Sequence, residues 1–213
     1  TETLRRRFVS DASHELKTPL AAIRLLTDSI LQTDQMDMET VRDFVTDIGS
    51  EAERLSRITE DLLRLTRLDS DLLDAPETVE VAPVLEQVMR MMSLLAQEKG
   101  TELTYRMEGN CRVSATKGEV HQVIYNLTDN AVKYSGKNGK VRVELRHENH
   151  DVVLTVADNG PGIPEEDLPK VFERFYRVDK ARSRAAGGTG LGLSIVQDLS
   201  LIHISEPTRR SYI

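Results

Sequence analysis

Phe8-Val9-Ser10-Asp11-Ala12-Ser13-His14-Glu15-Leu16-Lys17-Thr18-Pro19-Leu20 lies near the start of the chain. Ala12 and Leu16 belong to an apolar stripe with intervals of three, four and seven residues, which indicates one face of a helix. His14 lies two residues from each of them, so the spacing places its ring roughly 160° away from the stripe. This histidine therefore has no packing role in the predicted helix.

Two neighbours distinguish His14 from an ordinary exposed histidine, which usually has no function. Thr18 lies one turn further along the same face. Pro19 follows it, and a proline inside a helix costs up to about 3 kcal/mol, so we expect a local function to compensate. The other four histidines show no spacing typical of a zinc site.

The apolar stripe extends outward from this stretch and is followed by a second one. The first comprises Leu4, Phe8, Ala12, Leu16, Ile23, Leu26 and Ile30, and the second comprises Val41, Phe44, Ile48, Ala52, Leu55, Ile58, Leu62, Leu65 and Leu68. The polar stretch from Gln32 to Met38 predicts a turn between two helices of about 30 residues, each roughly 45 Å long. Because a lone hairpin leaves apolar faces exposed, we expect a homodimeric four-helix bundle. A structural coiled coil without chemistry is the alternative at this point.

Composition excludes several classes of function. The chain has 213 residues, 39% of them apolar and 4% aromatic, which predicts a soluble protein with an aliphatic core. Its 28 basic and 35 acidic residues give a net charge of -7, the wrong sign for binding nucleic acid over a broad face. The single cysteine, Cys111, cannot form an internal disulfide, which favours a reducing compartment. No run approaches the roughly 18 apolar residues that a membrane-spanning helix needs.

The character of the chain changes near residue 75. Up to that point there is one glycine and one proline, whereas the rest holds eleven glycines and six prolines. Beyond a linker at 70–78 the periodicity alternates: it predicts strands at 78–81, 101–107, 141–147 and 151–157, and helices at 83–98 and 119–134. We therefore predict an α+β sandwich with helices on one face of a mixed sheet.

Two glycine-rich segments lie in this second part. Asp158-Asn159-Gly160-Pro161-Gly162-Ile163-Pro164 follows a strand, and Gly187-Gly188-Thr189-Gly190-Leu191-Gly192-Leu193-Ser194 opens a helix. Both suit a close approach of backbone to phosphates or a base, although plain turns are the alternative for each. Neither is a P-loop or a dinucleotide fingerprint. The intervening cations form either an anion clamp or a solvated loop: Arg174, Arg177, Lys180, Arg182 and Arg184.

A polar helical face lies in the helix from Glu119. Asn126, Asn130 and Lys133 are spaced by four and three residues, so two amides and an ammonium share one face. An exposed polar face explains them in isolation. Beside two glycine segments, a hard cation held by an amide oxygen, with the lysine near a phosphate, explains them better.

Five motifs, in order, resemble those of sensor histidine kinases. Phe8–Ile23 resembles the phosphoacceptor box, Asn126–Ser135 the asparagine box, Asp158–Pro164 the first glycine box, Phe172–Asp179 the phenylalanine box and Gly188–Ile195 the second glycine box. The resemblance implies a dimerisation and histidine-phosphotransfer hairpin followed by an ATP-binding domain of the gyrase, chaperone and histidine-kinase superfamily.

The resemblance also implies roles for individual residues. His14 would be the phosphorylated histidine, Glu15 the acid that takes or orients its ring proton, and Thr18 a group that positions water during dephosphorylation of a partner. Asn126 would bind Mg²⁺, and Asp158 would accept the adenine amino group. The other implied nucleotide contacts are Asn130, Lys133 and Tyr134, which line the site, Gly160 and Gly162, which admit the base, and Arg177, Gly188, Gly190 and Gly192, which close over the phosphates.

The resemblance implies a protein-histidine kinase that uses Mg-ATP to phosphorylate His14 and then transfers the phosphoryl group to an aspartate of a response regulator. A neutral imidazole, with a reference pKa of about 6.5, suits in-line attack on a γ-phosphoryl group. Three alternatives remain open from the sequence. They are a phosphatase-dominant member, an inactive dimeric scaffold of the same fold, and a coiled coil fused to an unrelated ATPase.

The expected organisation is a phosphotransfer hairpin at 1–69, a linker at 70–78, an ATP-binding domain at 79–198 and a non-native tail at 199–213. The tail resembles an in-frame translation of a transposase-type sequencing adapter from Leu199 to Arg209, so we expect the ATP-binding domain to be truncated. The family usually has a signalling helix and membrane segments ahead of the hairpin. We therefore expect the cytoplasmic portion of a bacterial plasma-membrane protein.

Overall fold

The computed structural model describes residues 2–33, 35–68, 75–136, 138–149, 151–179 and 188–203. The chain divides into two compact units. The first comprises Thr1–Ser70 and Ser183–Thr189, and the second comprises Asp71–Arg182 and Gly190–Ile213. Most of the expected linker at 70–78, from residue 70 to residue 74, lies outside the described residues.

The first unit is the predicted helical hairpin. Helix α1 spans Glu2–Gln32 and helix α2 spans Met38–Leu68, and the two pack against each other. Ile58 and Leu65 of α2 are fully buried, as the apolar periodicity requires. The prediction of two helices of about 30 residues with a turn after Gln32 is confirmed.

The turn ends at a capping residue. A carboxylate oxygen of Asp37 accepts a hydrogen bond from the backbone N–H of Thr40 at 2.8 Å, and the other accepts from the Thr40 hydroxyl at 2.7 Å. An acidic residue just ahead of a helix satisfies a backbone N–H that has no partner within the helix. These hydrogen bonds, that of the backbone foremost, lower the pKa of Asp37 from its ordinary value of 3.8.

The second unit combines two small sheets with helices. In chain order it contains β1 (Glu77–Glu80), α3 (Val81–Glu98), β2 (Glu102–Glu108), β3 (Arg112–Ala115), α4 (Lys117–Tyr134), β4 (Lys140–Glu148), β5 (Asp151–Asp158), a 3₁₀ helix (Leu168–Lys170) and α5 (Gly192–His203). The larger sheet has the order β2-β4-β5, with β2 parallel and β5 antiparallel to β4. This confirms the predicted mixed sheet with helices.

The core lies between this sheet and its helices. Val141, Val143 and Leu145 of β4 are buried at every second position, because alternate side chains of a strand point to one face. Val88 and Met92 of α3 are fully buried in the same cluster. The core is therefore aliphatic, as the low aromatic content predicts.

Helix α4 begins with a capping box. Thr116 Oγ1 accepts from the Glu119 backbone N–H at 3.2 Å, and the Glu119 carboxylate accepts from the Thr116 backbone N–H at 2.7 Å. The side chains thus satisfy two of the N–H groups that a helix start leaves without helical partners. This arrangement fixes where the helix that carries Asn126 and Asn130 begins.

Several boundaries differ from the predicted ones. Helix α3 begins at Val81, two residues before the predicted start at Pro83. A proline in the first helical turn sacrifices no helical hydrogen bond, so Pro83 is accommodated as the third residue of the helix. Strand β3 is not predicted by the periodicity, and it pairs antiparallel with β1 in a separate two-stranded sheet. Helix α5 continues to His203, and Leu199 is only 3% exposed. Residues 204–213 of the expected tail lie outside the described part.

Among the described helices, none is both long and apolar enough to cross a membrane.

Candidate functional site

In the hairpin unit, the three predicted phosphotransfer residues lie on α1 in different surroundings. His14 is exposed to solvent, as its position opposite the stripe predicts. The Thr18 hydroxyl donates to the backbone carbonyl of His14 at 3.1 Å, a bond across one helical turn. The half-buried carboxylate of Glu15 accepts from Arg54 Nη2 of α2 at 2.9 Å. Glu15 is therefore held by the second helix, while His14 faces solvent.

In the second unit, Asn126 joins the middle of α4 to the start of α5. Its side chain is 7% exposed. Its amide oxygen accepts from Gln122 Nε2 at 2.9 Å, and its amide nitrogen donates to the backbone carbonyl of Gly192 at 3.1 Å. Both ends of the carboxamide are thus satisfied by protein groups. The second glycine segment is anchored to α4 at this point.

The other end of α4 lies against the first glycine segment. A Cβ atom added at Gly160 would lie 2.6 Å from the backbone oxygen of Tyr134 and 2.7 Å from Asp158 Oδ1. Only glycine fits such an approach without a shift of the backbone. The backbone N–H of Gly160 also donates to Asp158 Oδ1 at 2.7 Å. The loop therefore orients the Asp158 carboxylate, which is exposed.

Two further predicted residues lie on α4 between these contacts. Lys133 Nζ forms an ion pair with Asp129 Oδ2 at 2.6 Å, and both side chains are more than four-fifths buried. Asn130 is half-buried, one turn beyond Asn126. The charge of Lys133 is thus compensated within its own helix.

The backbone of the second glycine segment lies close to the backbone at Phe175. Gly190 has a φ of 75°, and a Cβ atom there would lie 2.9–3.1 Å from backbone atoms of Phe175. The Phe175 N–H donates to the Gly190 carbonyl at 2.8 Å, and Phe175 itself has a φ of 64°, which is uncommon for an aromatic residue. Gly188 is half-buried and belongs to the first unit.

The cations that form either an anion clamp or a solvated loop differ in their partners. Arg174 Nη2 donates to Asp198 Oδ2 at 3.0 Å, so its charge is paired with α5. Arg177 is half-buried, whereas the other three, Lys180, Arg182 and Arg184, lie outside the described residues. Tyr176, which precedes Arg177 in sequence, donates its hydroxyl proton to Asp167, and this hydrogen bond raises the pKa of Tyr176 to about 12.

Two family models match the chain. One, for the His Kinase A (phospho-acceptor) domain, covers residues 4–71, and the other, for the histidine kinase-, DNA gyrase B- and HSP90-like ATPase, covers residues 115–211. Sensor-like histidine kinase SenX3 of Mycolicibacterium smegmatis is 36% identical over 203 residues, which are 95% of this chain and 53% of that protein. The chain belongs to the sensor histidine kinases.

Further relatives agree with this family. Histidine-protein kinase ArlS of Staphylococcus aureus is 36% identical over 197 residues, 91% of this kinase chain and 43% of ArlS. The crystal structure of full-length ShkA in complex with AMPPNP shares the fold with a TM-score of 0.63 at 29% identity, over 94% of this chain and 40% of ShkA. The chain spans about half the length of the curated relatives it matches.

Asn126 of the second unit has a donor atom that suits a magnesium ion carried by a nucleotide. Mg²⁺ in such sites commonly takes one or two protein oxygens besides phosphates and waters. The Asn126 oxygen accepts one hydrogen bond from Gln122, and an amide oxygen has two lone pairs. Among the described residues, no group of three or more His, Cys, Asp or Glu side chains could hold a metal by itself. The Asn126 oxygen is thus one protein ligand that could hold such an ion.

Three residues of this kinase were not anticipated from the sequence. Gln122 and Asp129 each lie four positions before a predicted site residue, so helical spacing contained a signal for both. Arg54 contacts Glu15 across 39 residues, and no local pattern indicates such a contact.

Proposed function

We propose that this histidine kinase uses Mg-ATP to phosphorylate His14. One observation carries the proposal: α4 contacts both glycine segments, through Asn126 at Gly192 and through Tyr134 at Gly160. Backbone that approaches closely at glycines, beside polar helical side chains, is suited to a nucleotide. The same chain displays an exposed histidine in a matched phospho-acceptor domain.

The exposed imidazole of His14 is the proposed nucleophile. A ring nitrogen forms a bond to the γ-phosphorus while the bond from that phosphorus to the β,γ-bridging oxygen breaks, and ADP leaves. Glu15 takes or orients the proton of the other ring nitrogen. Mg²⁺, when bound, supplies positive charge to the phosphate oxygens. Asn126 would hold it through the remaining lone pair of its amide oxygen.

The nucleotide is held by residues of α4 and the glycine segments. Asp158, whose carboxylate is oriented by the Gly160 N–H, accepts the adenine amino group. Lys133 exchanges part of its pairing with Asp129 for the phosphates. The remaining proposed contacts are Asn130 and Tyr134 along the site, Gly162 beside the base, and Arg177, Gly188, Gly190 and Gly192 around the phosphates.

The proposed setting follows from family membership. Two copies pair through the hairpin at 1–69, a linker at 70–78 follows, the ATP-binding domain occupies 79–198, and residues 199–213 are a non-native tail. The phosphoryl group then passes to an aspartate of a response regulator receiver domain. The parent protein is membrane-anchored, and this region is its cytoplasmic portion.

Labelling with γ-³²P-ATP tests the proposal. We expect incorporation of label that is stable in base and labile in acid, which is typical of a phosphoramidate. The matched control is His14→Gln, which keeps a polar side chain of similar size but has no nucleophilic ring nitrogen. Label that persists in His14→Gln would contradict the assignment of the acceptor. Tight ATP binding without any label would instead favour an inactive scaffold.

A further inference from the structure

Arg54 is a charged residue in a buried position of α2. It is 4% exposed, and it lies one turn before the fully buried Ile58. Removing a guanidinium from water is costly unless its charge is compensated. A residue of this kind therefore needs an explanation beyond the packing of the hairpin.

The compensation comes from two carboxylates. Arg54 Nη2 lies 2.9 Å from Glu15 Oε2 of α1, and Arg54 Nη1 lies 3.6 Å from Glu51 Oε2 of its own helix. Only the first contact is a hydrogen bond. Arg54 Nε is buried and has no hydrogen-bond partner within the described part of the chain. The residue is thus satisfied mainly through Glu15.

The ion pair between Arg54 and Glu15 is not explained by a contribution to the stability of the hairpin. Replacing a buried ion pair with apolar side chains of similar volume is often neutral or stabilising. The surrounding face of α2 is apolar, since Ile58 and Leu65 are fully buried on it. The charge of Arg54 lies where α2 packs against Glu15 of α1, and Glu15 directly follows His14 in sequence.

We infer that Arg54 is a positioning residue for phosphorylation of His14. It holds the Glu15 carboxylate in one orientation, so that this group can take or orient the ring proton of the neighbouring histidine. The inference rests on the proposed function and deepens it. Arg54 itself does not touch the reacting atoms.

The first test compares autophosphorylation kinetics of the full chain and its Arg54→Met variant. Methionine fills a similar volume without a charge. We expect kcat to fall at least about ten-fold, because a displaced catalytic group loses most of its effect. KM for ATP should change little, whereas the thermal midpoint should fall because the mostly buried Glu15 carboxylate loses its partner. A purely structural role would instead leave kcat of the folded protein unchanged at temperatures well below that midpoint.

Two further variants separate positioning from packing. Arg54→Lys keeps a positively charged hydrogen-bond donor, so its kcat should lie between those of Arg54→Met and the unmodified chain. Glu51→Gln changes the other carboxylate near Arg54 without touching Glu15, and should keep kcat within about two-fold of the unmodified chain. These two variants also provide the comparison if Arg54→Met fails to fold.

A double-mutant cycle decides between the outcomes. If Arg54 acts through Glu15, the Arg54→Met substitution should have almost no further effect on kcat in a Glu15→Gln background. An equal fall in kcat in both backgrounds, or an unchanged kcat in Arg54→Met alone, would overturn the inference while the proposed function stands. Absence of phosphorylation in the unmodified chain would overturn both.

Discussion

At the scale of single residues, the two asparagines of α4 have different surroundings. Asn126 is buried between Gln122 and Gly192, whereas Asn130 is half-buried. Substituting Asn126 with alanine leaves the buried Gln122 amide and the half-buried Gly192 carbonyl without their partner, so we expect the free energy of unfolding to fall by about 1–3 kcal/mol. Asn130→Ala should change it by less than about 0.5 kcal/mol.

Both variants should weaken nucleotide binding, so stability is the property that separates them. Urea unfolding measures the free energy of unfolding of each variant, and titration with a fluorescent ATP analogue measures its nucleotide affinity. Equal losses of stability would show that the hydrogen bonds of Asn126 do not contribute as the structure indicates.

The two glycines of the first glycine segment are required for different reasons. At Gly160 a Cβ would lie 2.6 Å from the Tyr134 carbonyl oxygen, whereas at Gly162 a Cβ would have no neighbour within 4 Å in the described part of the chain, and the φ of 72° is the obstacle. Gly160→Ala should cost about 1–3 kcal/mol of unfolding free energy and weaken ATP binding. Gly162→Asn should cost much less, because asparagine tolerates a left-handed backbone.

Thermal unfolding with and without ATP checks this pair of glycine substitutions. A tolerated alanine at position 160 would mean that α4 and the loop do not approach as closely as described.

At the scale of elements, the cap of α2 makes the hairpin sensitive to acid. The pKa of Asp37 is lowered in the folded chain, chiefly by the Thr40 backbone hydrogen bond. Its contribution to stability is therefore fully present above the unfolded value of 3.8 and is lost as the pH falls through the folded pKa. We expect the thermal midpoint of the hairpin to fall as the pH is lowered into this range.

Asp37→Asn is the matched variant for this acid sensitivity, since asparagine caps helices about as well as aspartate but has no carboxyl group to titrate. Circular dichroism melts at neutral and acidic pH should show a smaller pH dependence for Asp37→Asn than for the unmodified chain. The same dependence in both would assign the acid sensitivity to other carboxylates.

At the scale of the whole molecule, the hairpin leaves apolar side chains exposed along α2. Met38, Val45 and Leu63 are each more than half exposed, and their spacings of seven and eighteen residues place them on one face. Because these side chains are already partly covered, burying each of them between two copies would stabilise the proposed homodimer by about 1–2 kcal/mol. We predict that Val45→Glu combined with Leu63→Glu raises the dimer dissociation constant at least about ten-fold.

Sedimentation equilibrium measures this dimer dissociation constant. The control carries glutamates at Thr46 and Ser50, two exposed positions away from this face whose hydroxyls bond to the backbone of α2 in the described contacts. A dimer unaffected by the apolar substitutions would place the interface elsewhere.

The amino-acid sequence by itself determined the two long helices, the position of most strands and helices in the second unit, and the family motifs. Each of these depends on short-range periodicity or on a local motif, and a local pattern is present in the sequence whatever the rest of the chain does. The prediction of an exposed His14 succeeded for the same reason.

Only the tertiary structure decided which distant groups meet. The pairing of β1 with β3, the hydrogen bond from Asn126 to Gly192 across 66 residues and the ion pair between Arg54 and Glu15 all join segments far apart in the chain. Such partners depend on how whole elements pack, and many alternative partners have the same local sequence pattern. For this reason the residue types of the candidate site were predictable, whereas the contacts that orient them were not.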